Sequence, residues 1–191
     1  MTPTLDRPRV VLLTGVGAAL LLVLALGTDV VWLRMTQDVP LVPRTEALGV
    51  PPLLPGLRPN PRGDTTWAFT WAEDFAALLL LGTVAGLLRR HVLRHPYAGA
   101  GRRLRAGWAA VVAGGTLAGV FRGMALARMT GAAPLGWTVH PLAGAVSGAC
   151  WGVALGWTVG LAVALVGVRR TSVRLEAPHG EHHRAPGMGR R

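Results

Sequence analysis

Residues 141–168 run for 28 positions without one Asp, Glu, Lys or Arg. A bilayer core about 30 Å thick is crossed by about 20 helical residues, because each adds about 1.5 Å of rise. Such a run therefore reads as a membrane span. Residues 10–33 form a second block of sufficient length, interrupted only by Asp29. Residues 75–88 and 106–121 are equally free of charge but too short to cross alone. Extended to 67–88 and 106–127 they reach the required length and draw charged residues inside the membrane boundary. The hydrophobic fraction of 51% is thus gathered into blocks rather than interleaved with charge, as a soluble core would have it.

These blocks predict an all-α integral membrane protein, a four-helix transmembrane bundle with one Pro-rich extracytoplasmic loop. The spans are 10–33, 67–88, 106–127 and 141–168. They are joined by a loop at 34–66, a basic loop at 89–105 and a short loop at 128–140. Residues 1–9 precede them and a tail at 169–191 follows.

Orientation follows from arginine, the only basic residue besides histidine in the chain. Arg89, Arg90, Arg94, Arg102, Arg103 and Arg105 crowd the second connection, and six more arginines lie in the tail. The positive-inside bias places both termini in the cytoplasm, and four crossings agree with that. Trp32, Trp67, Trp71 and Trp137 then fall at the outer boundary as an aromatic belt. The net charge of +11 reads as helix-flanking arginine facing lipid headgroups, not as a nucleic-acid surface. An arginine-only, Ala/Gly/Val/Leu-rich composition suits a GC-rich bacterial genome. A competing reading of the first block is a signal peptide cleaved after Gly27; its apolar run is long for that, which favours an uncleaved anchor.

The loop at 34–66 holds seven of the 14 prolines, which block helix and central strand. It is nevertheless apolar, with Leu48, Val50, Leu53, Leu54 and Leu57, and is expected to lie on the headgroups, cap the bundle or dock a partner. The tail lacks apolar periodicity and reads as disordered. His179, His182 and His183 lie there without the cysteine or carboxylate set that would complete a metal site.

Glycine recurs every fourth residue at Gly144, Gly148, Gly152, Gly156 and Gly160, and again at Gly115, Gly119 and Gly123. Gly82 and Gly86 repeat the spacing once more. Helices in lipid associate through close packing, and a ridge without side chains lets two backbones approach. The ridge therefore marks a close-contact surface, either within the chain or between copies around a pore.

Asp74 lies 15 residues from Arg89, and Arg122 lies 17 from Arg105. The two depths match to about 3 Å, and consecutive spans are commonly neighbours. An ion pair between Arg122 and Glu73 or Asp74 is expected in the outer leaflet, with Asp29 able to join it. Asp64 or Thr65 is the expected cap of the second span. His140 beside Pro141 is a possible pH-sensitive neighbour.

No P-loop, H-E-x-x-H, C-x-x-C or G-x-S-x-G occurs, no catalytic residue stands out, and no cofactor is implied. Cys150 is alone, so no intrachain disulfide forms. The reading that follows is an accessory, scaffold or regulatory subunit that packs against a membrane-protein partner. The alternative is an oligomeric transporter or channel that uses the acidic–basic cluster. An enzyme acting on a lipid headgroup through Glu73, Asp74, Arg122 and His140 comes third.

Overall fold

The computed structural model describes residues 6–28, 54–57, 60–61 and 66–175. Among these residues the chain forms four helices: α1 (Asp6–Gly27), α2 (Trp67–Arg94), α3 (Ala100–Met129) and α4 (Gly136–Leu175). All four are long and apolar enough to cross a membrane. Each packs on two neighbours, so the bundle closes as a ring in chain order, with α4 returning to α1. The α3–α4 interface is the most extensive. Apolar side chains also cover the outside: Leu21, Trp71, Leu142 and Leu165 are all exposed. Helices apolar on every face are stable where the surroundings are hydrocarbon. The protein is a multi-pass membrane protein.

The helix ends differ from those expected, for reasons of local chemistry. Helix α2 continues through Arg89 and Arg90 to Arg94, and α3 begins at Ala100, so the basic loop shrinks from 89–105 to a short turn. Arginine is a good helix former, and a helix has no reason to stop at the membrane surface. What stops α2 is Pro96, beyond the His95 cap whose N–H bonds the His91 carbonyl. Thr66, rather than Asp64 or Thr65, caps the start of α2, its hydroxyl accepting from the Phe69 N–H.

Helix α3 reaches Met129 and ends in a Schellman motif: the Gly131 N–H bonds the Arg128 carbonyl and the Ala132 N–H bonds that of Ala127. Gly131 takes φ +61°, which a side chain would strain. Helix α4 starts five residues before Pro141 and includes it. A proline so near the start removes one early hydrogen bond without cutting the helix in two. The same helix runs on to Leu175, through the first seven residues of the expected disordered tail. Helix α1 stops at Gly27, and residues 29–33 of the first predicted span, with Asp29 and Trp32, lie outside the described residues. So do residues 176–191 and most of the Pro-rich segment.

The core is made of small and branched apolar residues, among them Ala19, Val23, Leu80, Val84, Leu88, Val111, Val159 and Val163. Leu54 belongs to the same core although it lies in no helix. In lipid these contacts stabilise through dispersion and shape fit, because the tails outside are as apolar as the core.

Candidate functional site

The only charged residues buried among the described ones are Glu73 on α2 and Arg122 on α3, 3% and 9% exposed. They face each other because α2 and α3 are antiparallel in a defined register. Gly114 sits against the backbone of Leu80, and two turns further along α3 the same register brings Arg122 beside Glu73. The Arg122 Nε–H donates to Glu73 Oε1 at 2.7 Å. A charge at this depth is costly unless paired, and a charge-assisted hydrogen bond supplies the pairing.

Of the two carboxylates expected for Arg122, Glu73 makes this contact, since it points into the bundle. Asp74, one step of about 100° round the helix, is half-buried and is also engaged in an interaction. Phe75 and Phe121 meet beside the pair with ring centroids 4.8 Å apart, and Thr70, one turn before Glu73 and also buried, donates its hydroxyl to the Thr66 carbonyl. His140 approaches the same end of α3 through its backbone: a Cβ on Gly123 would clash with the His140 carbonyl. The His140 Nδ1 is buried and has no hydrogen-bond partner among the described residues.

The glycine ridge lies between α3 and α4. A Cβ on Gly119 would fall on the carbonyl oxygen of Gly144, and one on Gly144 would fall on that of Gly119. Gly115 and Gly148 have the same reciprocal relation. Further along, the Cβ position of Gly152 lies 2.7 Å from Val112 Cα, that of Gly156 3.0 Å from the Trp108 carbonyl oxygen, and that of Gly160 2.6 Å from the Leu104 carbonyl oxygen. The two backbones therefore touch over most of the membrane thickness, close enough for Cα–H···O contacts.

Gly82 and Gly86 have the same spacing but meet nothing within 4 Å. They lie on the exposed side of α2. Spacing alone does not distinguish the two cases.

Two contributors were not anticipated. Trp108 donates its indole N–H to the Val153 carbonyl at 3.1 Å and ties α3 to α4 beside the ridge. Its value was hidden because the sequence does not reveal which of seven tryptophans faces a carbonyl. Trp157 faces outward and Trp151 packs against the core. Leu54 was legible only as one apolar residue among many in a Pro-rich stretch.

At the other end of the bundle, the His91 and His95 rings lie with centroids 5.3 Å apart, tilted by 55°, near the arginines of the α2–α3 turn. No group of three His, Cys, Asp or Glu among the described residues is placed to hold a metal ion. His179, His182 and His183 lie outside them. What the arrangement offers chemically is a buried Glu73–Arg122 ion pair at one end, with no Asp, Glu or Arg among the described residues between it and the arginines at the other. Comparison with protein-family models, with curated proteins and with solved structures gives no match.

Proposed function

We propose that this chain is an accessory, scaffold or regulatory subunit of a larger membrane assembly, with both termini in the cytoplasm and the Glu73 end outside. The observation that carries the reading is the backbone contact between α3 and α4. It makes a stiff helical hairpin, suited to presenting a fixed surface in the bilayer. The lipid-facing surface then includes α2 with its open Gly82 and Gly86, where a partner helix can approach closely. The Glu73–Arg122 pair serves in this reading as a clasp between α2 and α3.

The alternative is a transporter or channel assembled from several copies. Its support is the buried charge pair, since ionisable groups inside a membrane often mark a transport path. Such a path would need further polar positions along the spans, and residues 75–88, 106–121 and 141–168 contain no charged ones.

Native mass spectrometry of the protein extracted gently from its own cells separates the two readings. A fixed stoichiometric ratio to another membrane protein supports the accessory reading. A homo-oligomer without a partner overturns it, and liposome flux measured with Arg122 and Glu73 variants then tests transport.

A further inference from the structure

Leu54, Pro55 and Gly56 are buried, Leu57 packs against the core, and none of them is helical. The depth of this segment follows from Gly115: an ideal Cβ there would stand 2.9 Å from Leu54 Cδ2. Gly115 is midway along α3, which runs from Ala100 to Met129. Arg122 lies seven residues further along, about 10 Å nearer the end and on nearly the same face. Leu54 and the charge pair therefore share one stripe of α3, with Leu54 the deeper.

The connecting chain is long enough. The register of Gly114 against Leu80 puts the level of Gly115 near residue 79, about 20 Å from Thr66 along α2. The 12 residue steps from Leu54 to Thr66 span up to about 40 Å when extended. Irregular backbone at such depth is tolerated only where protein encloses it. Here protein does, and Pro55 brings no N–H that needs a partner. Gly115, lacking a side chain, leaves the room that the Leu54 side chain takes.

From this placement we infer that Leu54–Leu57 is a re-entrant plug, entering from the Glu73 end and closing the bundle interior to water below the Glu73–Arg122 pair. The plug is independent of the accessory role and is present whichever partner the bundle has.

Single cysteines in a Cys150→Ala background test this in lipid nanodiscs, where both faces meet a water-soluble, bilayer-impermeant maleimide. Asn60, exposed, is the reference position. Leu54→Cys should react about tenfold or more slowly than Asn60→Cys, because labelling then requires local opening. Val111→Cys, one turn deeper than Gly115 and fully buried, should not react while the plug is in place. With Leu54–Leu57 replaced by Gly-Ser-Gly-Ser, or by the milder Leu54→Ala with Leu57→Ala should the first not fold, Val111→Cys should become reactive. Leu54→Cys reacting as fast as Asn60→Cys would overturn the plug. So would a Val111→Cys that stays silent in a folded protein whose plug has been removed.

Discussion

The α3–α4 and α2–α3 interfaces share a helix but are held by different means. Between α3 and α4 the contact is backbone on backbone, with glycine against glycine and a carbonyl where each Cβ would stand. Between α2 and α3 only Gly114 brings the backbones comparably close, against Leu80; the rest is side-chain packing by Ala76, Leu80 and Ala118, fastened near one end by Arg122 and Glu73. The first interface has no slack, because no rotamer can relieve an added methyl. The second has slack in its side chains but a strict demand on charge. A steric change should therefore damage the first most, and an electrostatic change the second.

The largest effect is expected from Gly119→Leu, which drives a side chain into the Gly144 carbonyl. The loss should exceed the roughly 3 kcal/mol of ordinary overpacking, and the folded monomer peak should vanish from size-exclusion chromatography in detergent. An unchanged melting temperature would mean that the backbones are not in contact.

Next is Arg122→Leu, which strands a buried carboxylate at a cost of about 3–5 kcal/mol. Adding Glu73→Leu should recover part of that loss in a thermal aggregation assay, since the carboxylate bonded to the Arg122 Nε is then gone as well. Equal loss in the single and double variants would break the comparison, because the second interface would then depend on shape and not on charge.

Trp108→Phe removes one hydrogen bond to Val153 and should cost about 1 kcal/mol. A much larger drop would show that the indole, rather than the glycine ridge, sets the α3–α4 register. The smallest effect is expected at Gly82→Ala and Gly86→Ala, which enter open space and should shift stability by no more than about 1 kcal/mol. If either variant instead abolishes a stoichiometric complex while the bundle itself stays folded, the exposed face of α2 is the partner's seat.

The degree to which each interface was legible follows from its physics. Four spans were readable because hydrocarbon penalises charge so strongly that uncharged stretches stand out. Arg122 was readable as a buried charge from its distance to the arginines of the second connection. Its partner was narrowed to Glu73 or Asp74, since depth constrains position along the axis but not rotation about it. The identical spacing of Gly82–Gly86 and Gly115–Gly119 shows the same limit from another side. One pair is open and the other meets backbone.

By itself, then, the sequence determined the membrane solvent, the number of spans and the depth of the charges, all of which depend on distance along a helix axis. The tertiary structure alone decided azimuth: that α3 turns its glycines to α4, that Glu73 rather than Asp74 bonds Arg122 Nε, and that Trp108 finds the Val153 carbonyl. It also decided that Leu54 fills the hollow at Gly115. Lipid is indifferent to which apolar face a helix presents, so facing is settled only when neighbouring helices compete for the closest fit.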